Sequence, residues 1–148
     1  MIELVSIEPM RDEDLDEVLG IEQASYRRPW NRSGFEVELS RAVAICLVAR
    51  IREEVLGYLI FWLVRPEIHV LNIAVKPDVR QRGVGRLLLE YMFEYGRERG
   101  AAEVFLEVRP SNASAQRLYY QTGFVLTGKR RNYYSEDHED ALVMIRRL

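Results

Sequence analysis

The chain has 148 residues, of which 48% are hydrophobic and 30% charged, and its formal net charge is −2. This length suits one ordinary domain with a buried core, so we expect a single domain over residues 1–148. The small net charge excludes the broad basic field with which proteins hold nucleic acid, and no direct nucleic-acid partner is expected.

Export and membrane insertion are also not predicted. Residues 1–5 lack the basic start and long apolar core of a signal peptide. No apolar run approaches the roughly 18 residues of a membrane span. A single cysteine, Cys46, excludes an internal disulfide and fits a reducing compartment. We therefore expect a soluble, cytoplasmic protein with no membrane partner.

Hydrophobic periodicity predicts four strands and two helices in the first half of the chain. Residues 2–8 alternate between apolar and polar side chains, and Asn31 or Ser33 is placed to cap the second helix. The predicted order is strand 2–8, helix 11–25, a helix ending near residue 40, then strands 42–51, 55–64 and 68–75.

The second half contains the clearest helix, over residues 84–99, whose apolar side chains recur on one face until Gly100 ends it. A second helix starts at Ser111 or Asn112 and stops at Gly123. Strands are predicted at 104–108, 124–131 and 141–147. The fold class is therefore mixed α/β (α+β), with about seven strands in a central mixed sheet and about four helices on both faces.

The most distinctive segment is the turn between strand 68–75 and helix 84–99, which reads Arg80-Gln81-Arg82-Gly83-Val84-Gly85-Arg86. Glycines at a strand-to-helix turn let the backbone approach a ligand, and the helix N-terminus favours an anion. The turn therefore resembles a phosphate cradle. It lacks the Lys-Ser/Thr of a Walker loop, and residue 88 is leucine where a Rossmann turn has glycine. Tight packing at a helix start is the alternative interpretation.

Three segments together resemble the GNAT acetyltransferases. Residues 80–85 match the family signature Arg/Gln-x-x-Gly-x-Gly/Ala, and residues 106–112 and 118–124 match its C-terminal part. Residues 131–134 and 139–141, with shorter matches around residues 21–23 and 29–30, narrow the resemblance to the RimI group of ribosomal-protein-alanine N-acetyltransferases and related protein N-terminal acetyltransferases. The likeness covers nearly the whole chain.

This resemblance implies the GNAT fold and acetyl-CoA as the acetyl-donor cosubstrate. It places the acetyl and pantetheine arm between two splayed parallel strands, with a strand N–H near Val75 polarising the acetyl carbonyl. The positions that correspond to the family's cofactor-binding residues are Ile73, Ala74, Val75, Gln81, Arg82, Gly83, Val84, Gly85, Arg86 and Asn112.

The reaction needs two proton-transfer groups. An α-amine has a pKa of about 7.7–8.0 and must lose a proton before it attacks, whereas the leaving sulfur needs a donor. By resemblance, Glu107 is the base and Tyr119 the acid. Tyr119 could instead be an ordinary core residue, and Cys46 is expected to be one.

Acceptor binding is less strongly marked in the sequence. Pro29 and Trp30 in an early loop, with Tyr133 and Tyr134 in a late one, could wall a groove for a protein N-terminus, and Glu22 could attract a basic one. Trp30 could equally seal the early helices against the sheet. That acceptor could be a ribosomal protein. The alternatives are a small-molecule amine, a protein lysine, or a non-catalytic acetyl-CoA sensor. No metal site is expected, and the oligomeric state stays open.

Overall fold

The computed structural model describes residues 2–134 and 139–148, and the side chains of residues 132–134 fall outside that description. One seven-stranded sheet forms the centre of the fold, in the order β1-β2-β3-β4-β5-β7-β6. The strands are β1 (Ser6–Pro9), β2 (Ala44–Ile51), β3 (Glu54–Val64), β4 (Glu67–Val75), β5 (Glu103–Val108), β6 (Val125–Tyr134) and β7 (Glu139–Arg147). The helices are α1 (Leu15–Ser25), α2 (Arg32–Ser40), α3 (Val84–Glu98) and α4 (Ala113–Gln121).

Only one pair of neighbouring strands in this sheet is parallel. β4 and β5 run in the same direction, and the other five neighbouring pairs are antiparallel. Parallel strands need a crossover connection, and α3 supplies it here. The predicted mixed sheet of about seven strands and four helices is confirmed.

Side-chain alternation in the strands divides the core into two layers. In β3, Leu59 and Phe61 belong to the cluster that packs against α3 and α4. Tyr58 and Ile60 point the other way, into the cluster formed with α1 and α2. Because successive side chains of a strand face opposite sides, each helix pair covers its own face of the sheet.

The helix starts follow the capping residues of the sequence. The Asn31 side chain accepts the Gly34 N–H at 2.9 Å and caps α2, so Asn31, not Ser33, is the cap. Asn112 likewise caps α4 through the Ala115 N–H at 3.2 Å. Each cap satisfies a backbone donor that the first helical turn cannot.

The predicted first strand is wrong over its first half. Residues Ile2–Leu4 form a 3-10 turn, and only Ser6–Pro9 pair with β2. Ile2 instead packs near the glycine turn, because a Cβ on Gly83 would lie 3.3 Å from its Cδ1. Helix 11–25 is also shortened: residues Asp12–Asp14 form a 3-10 turn, and α1 begins at Leu15.

Candidate active site

The sheet opens between its two parallel strands. β4 and β5 are paired only from Glu67–Glu103 to His69–Phe105, although both strands continue beyond that point. A register irregularity in the β3–β4 pairing occurs just where the opening begins, and such bulges bend a strand. The divergence leaves a cleft of about 400 Å³ lined from both strands.

The open edge of β4 presents backbone groups to the gap between β4 and β5; of the predicted residues 73–75, Ile73 lines the cleft, and Ala74 and Val75 lie beyond its lining. Lys76 N–H donates to the Leu56 carbonyl at 2.7 Å. The backbone N–H and C=O groups of residues 74 and 76 therefore face β3. By strand alternation, Ile73 and Val75 turn their N–H and C=O groups toward the gap. Their carbonyls accept from side chains, Ile73 from the Tyr26 hydroxyl and Val75 from Arg80 Nε at 3.0 Å. This edge therefore offers N–H donors to a ligand.

The glycine turn has the backbone shape of an anion cradle. Gln81 and Gly83 have φ of +63° and +91°, the left-handed region that L side chains rarely adopt. Where a left-handed residue adjoins a right-handed one, successive backbone N–H groups converge on one point. Arg82 and Arg86 are exposed beside the turn. The turn does not line the 400 Å³ cleft but lies at the start of α3.

Gly85 has a different explanation from Gly83. A Cβ on Gly85 would lie 3.0 Å from Leu118 Cδ2 and 3.6 Å from Val75 Cγ2. Glycine at this position therefore allows α3 to pack closely against α4. This agrees with the alternative interpretation of the turn, in which glycine serves tight packing at a helix start. Arg80 also has a structural task, because its guanidinium bonds Ser25 Oγ at 2.9 Å as well as the Val75 carbonyl.

Glu107 lies on the less buried face of β5 and lines the cleft. It is not isolated in an apolar strand, since Arg130 Nη1 of β6 lies 2.6 Å from its Oε1. A guanidinium at this distance holds the carboxylate in a defined orientation. No local signal connects residues 107 and 130 in the sequence, because the contact exists only after β7 has placed β6 in the sheet.

Tyr119 lies on the inner side of α4. Its side chain is buried, packs edge-to-face on Phe124 with centroids 5.6 Å apart, and lines the same cleft as Glu107. The neighbouring Tyr120 is exposed. Tyr119 belongs to the core layer of α3 and α4, whereas Glu107 lies on the opposite face of β5. The gap between the strands thus brings together side chains from both faces of the sheet.

The early loop forms one wall of the cleft. Trp30 lines it and packs on Phe35 with ring centroids 5.0 Å apart, and Pro29 is exposed but does not line it. Glu22 borders the cleft but is only 1% exposed. The side chains of Tyr133 and Tyr134, the other predicted acceptor residues, lie outside the described part of the structure.

The cleft includes residues to which the sequence analysis gave no role. Tyr26, Arg27 and Arg28 line it from the early loop, and Arg109 and Glu139 from the other side. Glu139 accepts from Ser111 N–H at 2.9 Å and lies 3.2 Å from Arg109 Nη1. These bonds, above all the Ser111 N–H, lower the pKa of Glu139. For Arg109 and Glu139, the sequence signal that could have indicated a role was their position in the segments 106–112 and 139–141, which resemble the family.

Cys46 and His69 have no place in the cleft lining. Burial, aided by the negative charge of Glu38, raises the pKa of the Cys46 thiol to about 11. The thiol is therefore protonated at neutral pH and a poor nucleophile. The His69 ring stacks on Phe105 and contacts Glu67 at 2.9 Å.

Residues 2–134 and 139–148 contain no cluster of three or more His, Cys, Asp or Glu side chains that could hold a metal ion. Among the same residues, no helix has the length and apolar character needed to cross a membrane.

Comparison with known proteins agrees with this geometry. The acetyltransferase (GNAT) family model matches residues 15–124. A Salmonella typhimurium ribosomal protein bS18-alanine N-acetyltransferase is 38% identical over 134 residues, which cover 88% of this chain and 89% of that protein. The crystal structure of the Escherichia coli ribosomal-protein-S18-alanine N-acetyltransferase superposes with a TM-score of 0.87 and 33% identity, covering 97% of this chain and 93% of that one.

A second solved structure is equally similar in fold. Ard1 from Thermoplasma volcanium superposes with a TM-score of 0.90 and 28% identity, covering 98% of both chains. The matched family model spans most of the sheet together with the glycine turn, Glu107 and Tyr119. This chain therefore belongs to the GNAT family of acetyltransferases.

Proposed function

We propose that the protein is an acetyl-CoA-dependent Nα-acetyltransferase that modifies the N-terminal amine of a protein, with a ribosomal protein as the first candidate acceptor. The observation that carries this proposal is the cleft between β4 and β5, which Glu107 and Tyr119 both line. Two relatives support the acceptor, because their names specify the alanine of ribosomal protein S18.

The residues around the cleft fit the acetyl donor that the family uses. Bound acetyl-CoA supplies an acetyl thioester. The N–H groups of Ile73 and Val75 face the gap and suit the thioester arm, and the left-handed turn at Gly83 with the N-terminus of α3 suits the pyrophosphate. The Asn112 oxygen already caps α4, so the NH2 of its amide is the group it can offer.

The proposed chemistry assigns one proton transfer to each side of the sheet. Glu107 accepts the proton of the acceptor amine, directly or through a water, while Arg130 keeps its carboxylate oriented. Tyr119 donates a proton to the sulfur as the acetyl group leaves it. A tyrosine hydroxyl carries an O–H donor suited to this role. The amine therefore attacks the acetyl group directly, within a ternary complex.

Kinetics of two conservative variants test this assignment. Glu107→Gln and Tyr119→Phe should each lower kcat on a peptide with a free N-terminus by about 10²–10⁴-fold, the usual contribution of general acid–base catalysis. Acetyl-CoA affinity, measured by calorimetry, should be retained. Unchanged turnover in both variants would contradict the roles, and binding of acetyl-CoA without turnover by the unaltered protein would favour the sensor alternative.

The protein's compartment and its domain organisation belong to the same proposal. We place the protein in the cytoplasm, which the single unpaired cysteine supports. We also treat residues 1–148 as one domain, which the single sheet through the described residues supports.

A further inference from the structure

A buried carboxylate connects the early loop beside the cleft to β4 and β3. Glu22 of α1 is only 1% exposed, yet it accepts three hydrogen bonds. Its Oε2 accepts the backbone N–H of Trp30 at 2.9 Å. Its Oε1 accepts Asn72 Nδ2 of β4 at 2.9 Å and the hydroxyl of Tyr58 of β3. A single side chain thus joins the early loop, the strand that borders the gap, and the strand behind it.

These contacts leave Glu22 poorly suited to bind an acceptor directly. All three partners are donors, and an ionised carboxylate is the acceptor-only group that satisfies them together. Burial and the neighbouring charge of Glu22 raise the pKa of Tyr58, which keeps that hydroxyl a donor. A buried charge with this many partners orients the groups around it.

We propose that Glu22 is a positioning residue for the acceptor: it fastens the Trp30 end of the 26–31 loop to β4. The Tyr26 hydroxyl holds the other end of the loop at the Ile73 carbonyl. The inference rests on the proposed function, because Trp30 matters here as a wall of the acceptor groove. Trp30 lines the cleft, and its backbone N–H is attached by this hydrogen bond to Glu22 of α1, which in turn bonds β4. Losing the attachment frees the wall while Glu107 and Tyr119 stay in place.

Replacing Glu22 by glutamine distinguishes the roles of its two carboxylate oxygens. Its one amide oxygen can serve Tyr58 and Asn72 at the Oε1 position, which turns its NH2 toward the Trp30 N–H, donor against donor. Glu22→Gln should therefore release the Trp30 end of the loop and retain the interior bonds. Tyr58→Phe is the matched control, since it removes an interior bond at Oε1 and leaves the Trp30 attachment at Oε2.

The test is steady-state kinetics with one acidic and one basic peptide, each with a free N-terminus. Glu22→Gln should raise the acceptor KM by up to about tenfold for both peptides, because acceptor binding must then order the Trp30 wall that the lost hydrogen bond to a charged group had held. Its kcat and its KM for acetyl-CoA should stay unchanged. Tyr58→Phe should lower Tm and leave the acceptor KM as it is.

Other outcomes overturn the inference. An unchanged acceptor KM in Glu22→Gln refutes it, and a rise confined to the basic peptide assigns Glu22 a direct charge contact. Failure of the unaltered protein to acetylate any N-terminus refutes the proposed function instead.

A measurement that needs no turnover separates failure of this inference from failure of the proposed function. Exchange of the Trp30 amide hydrogen should be slow in the unaltered protein and in Tyr58→Phe. It should be fast in Glu22→Gln, and equal rates in all three overturn the inference. If Glu22→Gln does not fold, Glu22→Asp keeps the charge but is too short to hold both sides, and it should raise the acceptor KM in the same way.

Discussion

Replacing Gly57 by alanine should disturb β4, the strand proposed to bind the acetyl donor, without altering any side chain in the cleft. Gly57 is buried in β3 and is paired with Val75 of β4. A Cβ at this position would lie 2.8 Å from the backbone oxygen of Ala74 and 3.3 Å from Val75 Cα. Both neighbours are backbone atoms, so the new methyl group cannot be accommodated by a side-chain rotation.

The size of the effect follows from this contact. Because the first distance is below 3.0 Å, which real Cβ atoms essentially never show, β3 and β4 must move apart near Ala74. Overpacking of this kind costs about 1–3 kcal/mol. For a protein of this size, about 1 kcal/mol corresponds to a Tm change of about 2–4 °C. We therefore expect Gly57→Ala to lower Tm by about 2–12 °C.

The functional consequence should be specific for the donor. Displacement of residues 73–75 misplaces the N–H groups that face the gap, so the KM for acetyl-CoA should rise more than the KM for the acceptor. Gly20→Ala is the control, since nothing lies within 4 Å of its added Cβ, and it should stabilise the protein by about 0.5–1 kcal/mol. An unchanged Tm and unchanged acetyl-CoA KM in Gly57→Ala would refute the reasoning.

Three further changes test other parts of the site. Cys46→Ser should keep full activity, and thiol titration of the unaltered protein should give a pKa of about 11; inactivation would implicate the thiol in catalysis. Glu139→Gln should lower Tm at pH 7, because a carboxylate whose pKa is lowered by folding stabilises the fold at pH values above its ordinary pKa near 4.5. The Tm difference between the two proteins should shrink as the pH falls below 4.5, and a difference that stays constant with pH would contradict this role. Tyr26→Phe removes the bond to the Ile73 carbonyl and should raise the acetyl-CoA KM; an unchanged KM argues against the role of that edge.

Local patterns predicted the regular elements well. The amphipathic helix expected at 84–99 is α3, Val84–Glu98, because its apolar face and its stop at Gly100 are encoded within the segment itself. The first strand failed for the opposite reason. Alternation over residues 2–8 is too short to distinguish a strand from a turn, and pairing with β2 decides that only residues from Ser6 onward are extended.

The site was predictable where a motif carries it and not where tertiary contacts do. Tyr119 was predicted as the acid through the resemblance, and the structure shows it buried at the cleft whereas Tyr120 is exposed. The bonds of Glu22 to Asn72, and of Glu107 to Arg130, join residues 50 and 23 positions apart. No sequence period connects such partners, so the structural tasks of these two carboxylates became visible only in the fold.

The site of acetylation on a peptide tests the central claim most directly. A peptide that begins with alanine and contains an internal lysine would be incubated with acetyl-CoA and the protein, and the modified position read by tandem mass spectrometry. We predict acetylation of the α-amine, and none of the same peptide with a blocked N-terminus. Acetylation of the lysine Nζ alone, with the free N-terminus untouched, would contradict the account.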